Sequence, residues 1–250
     1  MEPHSVLWYY LWAAPHLLQV PLAVVMVRRK LHREFPWFLT YTVYQIVSNT
    51  TLFVLNHLPA VSGHTYHVAI NADDLISIVL RFAVIYEVFW VVLRPYEALQ
   101  RIASVLVRGA LVILLLIDVV VAAFGPVPDY TTNLIRLSTS VNRAGSIIQC
   151  GLLLFLFLFS SYFRINWRSF GFGVSFGLGL YMAVQLILTA LSSLAYISVS
   201  DYIEMATYHI CVLLWLVYAL APQQVAVEVK SVPRHQLESW NIELERLLQR

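Results

Sequence analysis

Charged side chains set at whole-turn spacing inside apolar sequence are the strongest chemical signal in this chain. Asp74, Ser77 and Arg81 fall at three- and four-residue steps, so a helix places them on one face, with Asp73 and Glu87 on the face beside it. Further on, Arg136, Arg143 and Cys150 recur every seven residues. Guanidinium groups offer planar donor forks that match carboxylate or phosphate oxygens. Arg81, Arg143, Asp73 and Asp74 therefore read in two ways. They are an ion-pair network locking two helices together, or a cradle for a small anionic or polar ligand.

Other polar residues sit just as deep. Tyr41, Gln45, Ser48, Asn49, Leu52 and Asn56 form a stripe along one helical face. It serves either as hydrogen-bonded glue between helices or as the wall of a polar cavity, which makes Gln45 and Asn49 ligand-binding candidates. Asp118 stands nearly alone in its segment, about 15 Å along a helix from Arg108. An isolated buried carboxyl must be protonated or paired, and His16 and His209 match its depth. Those two histidines could meet and bind a haem or metal, or simply hydrogen-bond within the core. The chain has no His-x3-His and no Cys-x2-Cys. No catalytic residue, metal site or cofactor is assigned, and an enzyme is the less favoured class. Asp201-x-x-Glu204 before an apolar run reads as a helix start, with Glu204 answering the N-cap.

The elements that position these groups follow from hydropathy. The chain has 250 residues, 60% hydrophobic and 12% charged, with a mean hydropathy of +0.72. Soluble domains average about 25% charged residues. This excess of apolar surface must face lipid, and it excludes a disordered chain, a nucleic-acid-binding arm and a disulfide scaffold. A helix needs about 20 mostly apolar residues to cross the bilayer. Stretches meeting that length run over 6–27, 37–58, 69–93, 105–124, 134–163, 170–198 and 202–221. The expectation is an all-α polytopic membrane protein: a seven-transmembrane-helix bundle over residues 1–222, followed by a linker and tail helix over 223–250.

Basic residues orient the bundle. Thirteen of the 16 Lys and Arg residues fall in the breaks after spans one, three and five and in the tail. The opposite breaks hold none, which places the N-terminus outside and the C-terminus in the cytoplasm. The first residues carry Glu2 and His4 without a positive charge, unlike a secretory signal, so span one is expected to be a retained anchor. Cys150 and Cys211 fall inside spans and read as buried thiols. The sequon Asn49-Thr50-Thr51 lies within span two, beyond a glycosyltransferase. Gly173-x3-Gly177 permits close helix contact, and Pro15 and Pro21 are expected to kink span one.

In the tail, Leu237, Trp240, Leu244 and Leu247 occupy heptad a and d positions. Packing on the bundle or membrane face, a homodimer seam and docking to a partner's helix all suit two heptads. A homodimer or membrane-complex partner is thus expected through this helix or the Gly173/Gly177 face, with the lipid bilayer as constant partner and no nucleic acid.

Three segments, Leu93-Arg94-Pro95-Tyr96-Glu97-Ala98-Leu99, Gln149-Cys150-Gly151-Leu152-Leu153-Leu154-Phe155 and Trp240-Asn241-Ile242-Glu243-Leu244-Glu245-Arg246, resemble an uncharacterised family of bacterial seven-helix membrane proteins. That resemblance implies a bacterial inner membrane and brings no activity. Retinal proteins fit poorly, because span seven has no lysine for a Schiff base. The G-protein-coupled receptor signatures are missing where spans three and seven end. Zinc hydrolases of the ceramidase type need three histidines, and only two are mid-span here. The leading expectation is a sensor or scaffold whose outer polar cavity is coupled to the tail helix. The alternative is a small transporter, or a membrane subunit of a larger complex, that uses Glu87 and Asp118 for ions or protons.

Overall fold

The computed structural model describes residues 6–58, 61–92, 144–158, 168–192 and 200–222, together with 105, 107–109, 112, 116 and 141. Regular structure among them is entirely helical. The helices are α1 (Val6–Arg28), α2 (Pro36–His57), α3 (Gly63–Val92), α4 (Ala144–Leu158), α5 (Phe170–Ser192) and α6 (Ser200–Leu220), with a short 3-10 turn at Leu31–Arg33. Asp118, Arg136, Arg143 and the tail residues Leu237, Trp240, Leu244 and Leu247 lie outside the described residues, as does the 222/223 boundary.

Local chemistry explains the helix ends. Lys30 takes the left-handed conformation (φ 59°) and turns the chain after α1. Pro36 opens α2, where its missing amide hydrogen costs nothing and its fixed φ suits the first helical position. The start of α3 is Gly63 rather than the predicted 69. Gly63–His67 is too polar to register in hydropathy, but the Ser62 hydroxyl accepts the Thr65 amide at 3.2 Å and caps the helix.

Three helical stretches among the described residues are long and apolar enough to cross a membrane: α1, Phe170–Leu188 of α5, and α6. Helix α2 carries too much polarity to join them, and α3 carries Asp73, Asp74, Arg81 and Glu87. Hydroxyls within α2 satisfy themselves locally. Thr40, Thr42, Thr50 and Thr51 each donate to the carbonyl one turn back.

Packing closes the helices into a ring. Helix α1 lies against α2 and α6, α2 against α3, α3 against α5, and α5 against α6. The first and last described helices, α1 and α6, are therefore neighbours. Helix α4 leans on α3 and α5: Phe155 stacks on Phe89, Gln149 Nε2 donates to the Ile78 carbonyl at 3.2 Å, and Phe157 meets Phe172 edge-on. The outer surface is apolar, with Leu17, Val20, Val24, Val79, Leu158 and Val217 exposed. Polar groups such as Gln19, Gln45, Arg81 and Gln149 are buried instead. That inversion is the one a lipid-facing bundle needs.

Gly173 and Gly177 are used inside the chain. A Cβ at Gly173 would stand 2.2 Å from Tyr218 Cγ, and one at Gly177 would stand 2.2 Å from Trp215 Nε1. This glycine face is thus covered by α6. Neither cysteine is in a disulfide, and the buried Cys211 thiol donates to the Gly177 carbonyl. At the same end of the ring, Arg29 donates to the Ala221 carbonyl at 2.8 Å, placing a cation where the last carbonyls of α6 emerge.

Candidate functional site

A cavity of about 180 Å³ lies inside the ring, lined from all five of its helices. Helix α1 contributes Leu11, Trp12, Pro15 and His16; α2 contributes Gln45 and Asn49; α3 contributes Asp73, Asp74, Ser77 and Arg81. Gln185 of α5 and Glu204, Met205 and Tyr208 of α6 complete it. Most of these residues belong to the half of the ring where α1, α3 and α6 begin and α2 and α5 end, with Gln45 and Arg81 near the middle of their helices.

The α3 face pattern explains the α3 contribution. Asp74, Ser77 and Arg81 line the cavity together, while the neighbouring face turns to α2. There Asp73 Oδ1 accepts the Tyr44 hydroxyl at 2.8 Å and also that of Ser48. Ser77 Oγ accepts the Gln45 amide at 2.9 Å, and Asn49 donates to the Gln45 carbonyl at 2.9 Å. The Arg81 guanidinium lies 6.0 Å from the centre of the Tyr181 ring, within cation–π range. It is only 5% exposed. Of the predicted cradle, Arg81, Asp73 and Asp74 come together with Gln45 and Asn49.

Glu204 departs from its predicted role. Its Oε1 accepts the Tyr181 hydroxyl at 2.9 Å and the Gln185 amide at 3.5 Å, and the side chain lines the cavity. Asp201 sits inside the first turn of α6, because the helix starts at Ser200. The carboxylate of Glu204 is therefore committed to α5, and the capping reading is overturned. Tyr181, Gln185 and Tyr208 were not singled out in the sequence. Their signal is a one-turn spacing within each helix, Tyr181 to Gln185 and Glu204 to Tyr208, which aromatic-rich spans hide.

Glu87 belongs to a different place. Its two oxygens accept the backbone amides of Trp37 at 2.7 Å and Phe38 at 2.9 Å. These are orphan donors of the first turn of α2, which has no side-chain cap of its own. A carboxylate from α3 thus caps α2 across the helix interface, and the helix dipole adds to the attraction.

The histidines take separate partners. His16 Nδ1 lies 3.1 Å from Gln19 Oε1, and its ring is 5.8 Å from that of Tyr208. The ring of His209 faces Tyr10, 5.9 Å away. Gln19 in turn donates to the Tyr208 hydroxyl at 2.6 Å. Among the described residues no three His, Cys, Asp or Glu side chains converge on a possible metal position.

Below the cavity the ring is filled by aromatic side chains. Tyr208 on the wall meets Trp215 at 6.2 Å between centroids, Trp215 meets Phe38 at 5.1 Å, and Phe38 and Phe35 both pack edge-on against Phe170. Trp215, Tyr41, Phe38, Phe35 and Phe170 are essentially inaccessible. The arrangement is a charged chamber above an apolar plug.

Compared with family models, curated proteins and solved structures, the chain matches none. The resemblance to bacterial seven-helix membrane proteins consequently carries no more than the expectation of a membrane bundle, and function rests on the cavity.

Proposed function

We propose that the chain is a seven-span membrane protein of the bacterial inner membrane that binds a small polar molecule from the outside and acts as a sensor or scaffold. Its N-terminus lies outside and its C-terminus in the cytoplasm, as the thirteen basic residues of the alternate breaks and tail require. The observation that carries the reading is the gathering of the cavity-lining charges above the aromatic stack. Polar lining occupies one half of the ring and a buried aromatic stack fills the other. In the proposed orientation the chamber is in the outer half, so a ligand enters and leaves by the same face.

Helix α6 supports the coupling to the tail. It carries Glu204 and Tyr208 on the cavity at one end, Trp215 on the aromatic plug, and runs directly into residues 223–250 at the other. A shift of α6 on binding would move the tail helix, which also offers the seam for a homodimer or a partner. Transport through Asp118 and Glu87 has less support, because both Glu87 oxygens are engaged by backbone amides.

The test is native mass spectrometry of the full chain released from mild detergent. A small-molecule adduct is expected on the wild type. It should be lost in Arg81→Lys, which keeps the charge but not the planar fork, while the melting temperature stays close to that of the wild type. Identical adducts on both proteins would contradict a binding role for this cavity.

A further inference from the structure

The cavity wall sets three carboxylates against a single guanidinium, and we propose that its ligand carries a primary ammonium group. This inference rests on reading the cavity as a binding site and names the chemistry of what it binds. Three carboxylates line the chamber: Asp73, Asp74 and Glu204. Asp74 lies within electrostatic reach of the other two and of Arg81. Asp73 already receives hydroxyls from Tyr44 and Ser48, and Glu204 receives Tyr181 and Gln185. Among the described residues no side chain donates to Asp74.

Pro15 on the wall has no amide hydrogen to give to the Leu11 carbonyl one turn back, so this wall adds no backbone donor there. Three carboxylates beside one guanidinium ask for a group that only donates. A primary ammonium has three donors and no acceptor. A bare metal ion suits the site less well, because the acids are spread around the chamber and form no metal-holding group among the described residues. The apolar side of the wall, Leu11, Trp12, Pro15 and Met205, is suited to a carbon skeleton. The ring faces of Trp12 and Tyr208 attract a cation.

Arg81 gives the chamber a fixed positive charge on the same helix as Asp73 and Asp74, so a zwitterion meets both signs. The volume, about 180 Å³, corresponds to about six waters at liquid density, the scale of a small amino-acid-like molecule.

The experiment is calorimetric titration of the full chain in lipid nanodiscs with propylammonium, alanine, propionate and 1-propanol as separate probes. Saturable binding of propylammonium and alanine is expected, with each displacing the other. Alanine should bind the tighter if Arg81 takes its carboxylate. Asp74→Asn and Glu204→Gln should each weaken propylammonium by about tenfold or more, the scale of a lost charge-assisted hydrogen bond, and Asp74→Glu should restore much of the affinity. The wild-type titrations stand whether or not a variant folds. Binding of propionate or propanol with propylammonium and alanine both silent would overturn the ammonium assignment and leave the binding site standing. Binding of none of the four would overturn both. Equal propylammonium affinity in wild type, Asp74→Asn and Glu204→Gln would also overturn the assignment, since the probe would then sit elsewhere.

Discussion

Glu87→Ala is expected to lower stability by about 2–4 kcal/mol, among the largest effects of any single substitution in the bundle. The reason is geometric. Glu87 is 6% exposed, and its carboxylate is the partner of two first-turn amides of α2, those of Trp37 and Phe38. Removing an acceptor from a buried donor costs that donor its desolvation penalty, about 1–3 kcal/mol each. Trp37 is half exposed at its side chain and its bond is only partly buried, which keeps the total below the maximum. Pro36 precedes them, so the chain has no nearby residue that caps this turn. Glu87→Gln keeps a carbonyl oxygen in place and should lose less than half as much. Unfolding in mixed detergent, followed by Trp fluorescence, gives the comparison. An alanine variant as stable as the wild type would mean that α2 is held by packing alone.

The second large effect is at Gly173. An added Cβ would stand 2.2 Å from Tyr218 Cγ and 2.7 Å from its Cβ, and while a χ1 rotation can move the ring, the Cβ cannot move without the backbone of α6. Gly173→Ala should therefore force α5 and α6 apart and cost about 3 kcal/mol, the upper end of the overpacking range. Gly177→Ala meets the Trp215 ring edge instead, where a tilt of the indole relieves part of the clash. The diagnostic is the double variant. Tyr218→Gly removes every clashing atom, so Gly173→Ala should cost much less in that background, giving a coupling energy of about 1–3 kcal/mol in a double-mutant cycle. Strict additivity would show that the two residues do not share a contact.

These two sites differ in how far the sequence discloses them. Gly173-x3-Gly177 is legible because small residues at one-turn spacing have one common use, close helix contact, and the structure supplies only the partner. Glu87 is legible as an embedded acid but not as a cap, because its partners are backbone amides 50 and 49 positions away, and amides carry no sequence signal. Glu204 shows the opposite failure. Asp201-x-x-Glu204 matches a helix-start pattern at every letter, yet the carboxylate turns to Tyr181 and Gln185 on a neighbouring helix. Local pattern cannot register that competition, since a strong tertiary donor outbids an orphan amide that water can also satisfy.

The cavity itself was half visible. The stripe Tyr41, Gln45, Asn49 and the face Asp74, Ser77, Arg81 were both readable from periodicity, and the structure sets all but Tyr41 on one chamber. The walls from α1, α5 and α6 were not, because Trp12, Met205 and Tyr208 look like any other lipid-span residues until the ring closes. Among the described residues, three helical stretches are long and apolar enough to cross a membrane, and the predicted second and third spans are not among them. Helices α2 and α3 carry the polar lining, and that lining lowers the very hydropathy by which a span is recognised.

Central to the proposed function is a chamber reached from the outer face and closed beneath by the aromatic plug. Cysteine accessibility tests it most directly, using Asn49→Cys and Thr42→Cys, each in a Cys150→Ala, Cys211→Ala background. Asn49 lines the chamber, whereas Thr42 is fully buried about two helical turns deeper, level with the plug. With a membrane-impermeant maleimide, Asn49→Cys should be labelled in right-side-out vesicles and spared in inside-out vesicles. Thr42→Cys should be spared in both. Labelling of Asn49→Cys from the cytoplasmic face, or of Thr42→Cys from either face, would contradict the one-sided chamber.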